Sequence, residues 1–108
     1  MVQQNIDKII SNYLTKNIVF SEENLLATKL SLLDTLGCIY NASTYEDPMR
    51  FATRGKYGSN TNPFLVINDM QSSKEITRYF SILTRWFDYN DTFLAKEWAH
   101  PSDNIGTA

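Results

Sequence analysis

The polar residues that could carry chemistry crowd into one stretch, RWFDYNDTFLAKEWAHPSDNIG, from Arg85 to Gly106. His100 is the sole histidine of the chain, and an imidazole can take or give a proton near neutral pH. Asp88 or Asp91 could hold its second nitrogen and so fix which nitrogen carries the hydrogen. Arg85 could clamp a substrate carboxylate through two parallel N–H groups; a solvated surface arginine fits its composition equally well. Thr92 could donate a hydroxyl hydrogen bond or simply close a turn with Asp91. Asp88, Asp91 and Glu97 are metal ligands by type. They lack EF-hand spacing, and the histidine partners of a zinc site are missing, so no metal is expected. Phe87, Phe93 and Trp98 add an aromatic wall to this polar set.

Loop residues do chemistry only when a scaffold aims them. Upstream, Ile6, Ile9, Ile10, Tyr13 and Leu14 recur at 3–4 spacing, which predicts an amphipathic helix over 3–16. Ser21 offers a capping oxygen, and Glu22 and Glu23 suit the positive end of a second helix reaching Ser43. Its apolar positions include Leu25, Leu26, Leu30, Leu33, Leu36 and Ile39, and Leu32 and Ile39 widen the stripe so that more than one side is expected to be covered. Gly37 inside that pattern implies a close helix crossing. Asp47 and Pro48 read as a cap and first helical residue of a short helix to about Lys56, stopped by Gly58. Phe64 to Ile67 could form a short strand. Ser72 and Glu75 make a capping box for a further helix, with Ile76, Tyr79, Phe80, Leu83, Trp86 and Phe87 on one face. Pro101, Ser102 and Asp103 resemble the start of another helix, which would have under two turns before Ala108. The expected fold class is therefore all-α: four helices with at most one short strand.

Composition narrows the function. At 108 residues the chain has room for one domain, and 43% hydrophobic residues suffice for a core. A formal net charge of -2 without a basic block argues against nucleic-acid binding. No apolar run approaches the ~18 residues of a membrane span, and the N-terminus lacks the pattern of a secretory signal. With Cys38 as the single cysteine, a reducing, cytoplasmic setting is the plain reading. Gly55, Gly58 and Lys56 form no phosphate-binding loop, and Ser21, Ser43 and Ser102 form no nucleophile elbow.

LLDTLGCIYNAS, Leu32 to Ser43, and the Arg85 to Gly106 stretch, in this order and at this separation, closely resemble the N-terminal region of the MmgE/PrpD family. The likeness runs from about residue 5 to the last residue, loosely through 44–63. It implies that residues 1–108 are part of a larger helical domain, truncated at the C-terminal end, with a smaller α/β domain closing over it. It further implies a hydro-lyase that removes water from 2-methylcitrate to give 2-methyl-cis-aconitate, with no cofactor and no iron–sulfur cluster. A small tricarboxylate substrate and a homodimeric full-length enzyme are expected. By the same resemblance His100 matches the family's active-site histidine, Asp88 the aspartate closing the preceding helix, and Asp91 and Thr92 the shared Asp-Thr pair. Thr92, Asp91, Arg85 and Lys96 are the expected substrate-binding residues, and His100 and Asp88 the catalytic ones. Glu97-Trp98 before His100 resembles the dehydratase branch rather than the decarboxylase branch. Phe93 stands where tryptophan is usual and Lys96 where a small residue is usual, so Lys96 brings an extra positive charge toward the substrate. Two other readings stay open: a noncatalytic helical interaction module, and a relative acting like cis-aconitate decarboxylase.

Overall fold

Two serine caps organise the longer helices. A computed structural model of the chain describes residues 2–108, with side chains from Asn5 onward. The Ser21 side chain accepts the N–H of Asn24 and starts α2 (Glu22–Ser43). The Ser72 side chain likewise accepts the N–H of Glu75 and starts α4 (Ser73–Arg85). Each cap satisfies a backbone donor that the first helical turn leaves without a partner. Glu75 reaches back to accept the N–H of Gln71 at 3.1 Å, one residue before the cap. Preceding them is α1 (Val2–Thr15), whose apolar stripe of Ile6, Ile9, Ile10, Tyr13 and Leu14 is exposed.

The core lies where α2, α3 (Glu46–Ala52) and α4 meet, around Ile39, Ala42, Met49, Ala52, Val66, Tyr79 and Leu83. The buried face of α2 is Thr35, Cys38, Ile39, Ala42 and Ser43, which recur at the 3–4 spacing of one helix face. Its leucines, 25, 26, 30, 32, 33 and 36, are exposed. The expected leucine stripe is therefore not the one packed among the described residues. Smaller side chains at 35, 38, 42 and 43 let α3 and α4 approach the α2 backbone. The close crossing expected at Gly37 is not made either, since nothing lies within 4 Å of where a Cβ would stand.

The third helix is displaced from expectation. Tyr45 occupies the cap position without a side-chain hydrogen bond, and Asp47 and Pro48 fall inside the first turn. Proline is tolerated there because that turn's N–H groups lack helical partners anyway. The helix ends at Ala52, before Lys56, because Arg54 and Gly55 turn left-handed at φ 54° and 80°. Arg78 Nη1 donates to the carbonyl of Ala52 at 3.0 Å, tying the end of α3 to α4. The run 64–67 forms no strand: Val66–Asp69 is a 3-10 turn that buries Val66.

The extended structure falls elsewhere. β1 (Phe93–Leu94) pairs antiparallel with β2 (Trp98–Ala99), Phe93 opposite Ala99 and Leu94 opposite Trp98. A second 3-10 turn, Pro101–Asn104, follows and packs against α2 and α4. Among the described residues the four helices dominate, so the all-α class holds. The strand content is this two-residue ribbon at 93–99, not a strand at 64–67.

Candidate active site

The loop after α4 is built on Arg85. Asp88 turns left-handed at φ 56°, a conformation aspartate tolerates better than most residues, and its N–H donates to the Arg85 carbonyl at 3.0 Å. The Arg85 guanidinium then pairs with Asp88 at 3.1 Å and with Asp103 at 3.8 Å. It also reaches Asn90 Oδ1 at 3.5 Å. Both ends of the loop are thus gathered at the end of α4.

Inside that brace, Asn90 and Ser102 are both buried, and Asn90 Nδ2 donates to Ser102 Oγ at 2.7 Å. The pairing satisfies polar groups that would otherwise be costly to bury. Asp91 sits next to it. Its Oδ1 accepts the backbone N–H of Ser102 at 3.0 Å, and its Oδ2 accepts the hydroxyl of Ser31, from α2, at 2.6 Å. Partial burial pushes the Asp91 carboxyl up, but hydrogen bonds from Ser102 and Ser31 and the nearby His100 outweigh it, holding it below the usual carboxylate range. Behind this loop, burial together with Asp34 and Asp91 pushes the Cys38 thiol up.

His100 closes the arrangement. Its Nδ1 lies 2.6 Å from the backbone oxygen of Asp91 and 3.5 Å from Thr92 Oγ1. The Trp98 ring meets the imidazole edge-on, with centroids 5.4 Å apart. The β1–β2 ribbon brings Thr92 and His100 side by side, because the chain reverses over residues 95–97. Lys96 and Glu97 are at the exposed tip of that reversal.

Of the residues singled out by type, the structure brings together Asp91, Thr92 and His100 as one group and Arg85 and Asp88 as another. Asp88 does not hold His100: its side chain is 73% exposed and faces Arg85. The ring nitrogen is held instead by a main-chain carbonyl. Both Asp91 oxygens accept hydrogen bonds within the protein, and the half-exposed Arg85 pairs with Asp88 and Asp103. Lys96 forms no ion pair among the described residues. Ser31 was not legible as part of the site; a serine within a leucine-rich helix, distant in sequence, was the sole hint. A cleft of about 170 Å³ runs beside the brace, lined by Ser81, Thr84, Arg85, Ser102 and Asp103. His100 is not part of its wall. Among the described residues no group of three or more His, Cys, Asp or Glu side chains could hold a metal ion, and no helix is long and apolar enough to cross a membrane.

The helical scaffold thus presents an imidazole beside an Asp-Thr pair at the open end of a short ribbon. Residues 8–108 match the MmgE/PrpD N-terminal domain, and the chain belongs to that family. It is 32% identical over 108 residues to a probable 2-methylcitrate dehydratase of Saccharomyces cerevisiae, covering 94% of this chain and 21% of that protein. It is 40% identical over 80 residues to a 2-methylcitrate dehydratase of Escherichia coli, covering 69% and 16%. An alkylcitrate dehydratase of a fungal species is 28% identical over 101 residues, covering 90% and 20%. The chain thus spans about a fifth of the length of the curated relatives it matches. No solved structure matches it.

Proposed function

We propose that this domain supplies the His100 side of a hydro-lyase site that converts 2-methylcitrate to 2-methyl-cis-aconitate. The observation that carries the reading is the family match together with relatives named as dehydratases of alkylated citrates. Removing water from such a substrate requires that a weakly acidic C–H lose its proton while charge builds on the adjacent carboxylate. The hydroxyl must then depart with a proton. His100 performs one of the two proton transfers, and Thr92 offers its hydroxyl to the substrate. Lys96 and Arg85 supply positive charge toward a multiply charged acid, Arg85 by exchanging a protein carboxylate for one of the substrate's. Asp88 acts through Arg85, and Asp91 by holding the loop. The same reading makes the complete enzyme a cytoplasmic homodimer that needs no cofactor and works in propionate breakdown through the methylcitrate cycle.

The chain alone is expected to show no appreciable dehydratase activity, because it spans about a fifth of its relatives' length, His100 is not in the wall of the cleft beside Arg85, and exclusion of water is part of such catalysis. The test is to supply 2-methylcitrate to a protein of the relatives' full length that carries this domain, and to follow the unsaturated product. Substituting His100→Ala should lower turnover by at least about 100-fold, the usual worth of a positioned acid or base. Unchanged turnover would refute a proton-transfer role. Release of carbon dioxide in place of water would move the reaction to the decarboxylase class, and no response to any tricarboxylate would leave a binding module.

A further inference from the structure

We propose that Ser31, Asp91 and Ser102 form a clamp that fixes the neutral ring of His100 with its hydrogen on Nδ1, leaving Nε2 as the proton acceptor. The argument is one of donors and acceptors. A backbone carbonyl oxygen only accepts. The Nδ1 atom at 2.6 Å from the Asp91 oxygen must therefore carry a hydrogen and donate it. In the neutral ring Nε2 then holds the lone pair, and among the described residues it has no hydrogen-bond partner. The Thr92 hydroxyl, 3.5 Å from the same Nδ1, cannot donate to it and is left to serve a ligand.

The position of that carbonyl is not left to the loop. The two oxygens of the Asp91 carboxylate are tied to different elements, Ser31 on α2 at 2.6 Å and the Ser102 N–H of the second 3-10 turn at 3.0 Å. Ser102 is itself buried and takes the Asn90 hydrogen bond. Residue 91 cannot shift without breaking bonds to both, so its carbonyl stays aimed at His100. Ser31 is thus a positioning residue that never touches the ring.

The catalytic meaning rests on the proposed hydro-lyase reading. The substrate C–H proton would pass to Nε2 and its electron pair would form the new C=C bond. The hydroxide would leave as water with a proton drawn from solvent, to which the imidazolium later returns its own.

His100 is the sole histidine, so one two-bond ¹H–¹⁵N spectrum of the purified chain at alkaline pH reads its tautomer without ambiguity. An unconstrained neutral histidine favours hydrogen on Nε2; the clamped ring should show the Nδ1–H pattern. Ser31→Ala should convert this to a mixture weighted toward Nε2–H, whereas Ser31→Thr, which keeps the hydroxyl, should retain the wild-type spectrum. An Nε2–H ring in the wild-type chain would overturn the proposal, as would an unchanged spectrum in Ser31→Ala. Loss of helical circular dichroism in Ser31→Ala would also overturn it, by making Ser31 a residue of the fold. No substrate is present in this measurement. An inactive enzyme with an Nδ1–H ring would reject the dehydratase reading alone, and an active one with an Nε2–H ring would reject the clamp alone.

Discussion

The Asp91 carboxylate accepts the backbone N–H of Ser102 at 3.0 Å, so the residue leading into the ribbon fixes the turn that leaves it at the same, open end. Its second oxygen is held by Ser31 at 2.6 Å, which makes this one carboxylate a junction between α2 and the loop. Charge-assisted hydrogen bonds of this kind are stronger than neutral ones.

Because these bonds favour the ionised form, Asp91 loses its proton more readily in the folded chain than in the unfolded one. The stabilisation it confers is complete above the ordinary aspartate value of about 3.9 and is lost as pH falls through the lower, folded value. Urea melts of the chain taken from neutral pH downward should show the loss setting in below pH about 4. Asp91→Asn should cost about 2 kcal/mol at neutral pH and flatten that acid limb. An acid limb of unchanged steepness would refute the assignment.

Tyr79 is fully buried, its hydroxyl donates to the Pro63 carbonyl at 2.8 Å, and burial pushes the phenol up to about 12. The folded chain holds that proton more tightly. Its stabilising effect is therefore whole below the ordinary tyrosine value of about 10 and disappears as pH rises toward the folded one. Tyr79→Phe leaves the Pro63 oxygen without its partner and should destabilise the chain by about 1–2 kcal/mol, read from the midpoint of a denaturant melt.

Gly106 packs onto α4 so closely that an added Cβ would stand 2.8 Å from Ser81 Oγ and 3.4 Å from the Thr77 carbonyl. Gly106→Ala should cost about 1 kcal/mol through overpacking. Adding Ser81→Ala should recover part of that loss, because the nearest clashing atom is then gone. Simple additivity of the two changes in thermal melts would contradict this contact.

Arg85 braces Asp88 and Asp103, yet its side chain is 40% exposed and the two carboxylates more so. Exposed pairs contribute little, so Arg85→Gln should lower global stability by under about 1 kcal/mol. The local effect should be larger: amides of residues 86–92 should exchange with solvent faster, while those of α2 and α4 stay protected. Uniform loss of protection would make Arg85 a determinant of the whole fold.

Sequence by itself determined what depends on neighbours along the chain. Ser21 and Ser72 cap their helices as expected, because a cap acts on a donor three residues away. The stretch from Arg85 to Gly106 was legible as the polar site, and its family followed from the order of residues in it. Where local signals were weak they misplaced structure, as at Asp47, whose capping pattern lost to Tyr45, and at 64–67, where four apolar residues took a 3-10 turn. Tertiary structure alone decided which face of α2 is covered, that Asp88 turns to Arg85 rather than to His100, and that Ser31 anchors Asp91. The physical reason is reach: periodicity and capping act within a turn or two of helix, whereas a hydrogen bond between residues 31 and 91 exists only once α2 has packed beside the loop.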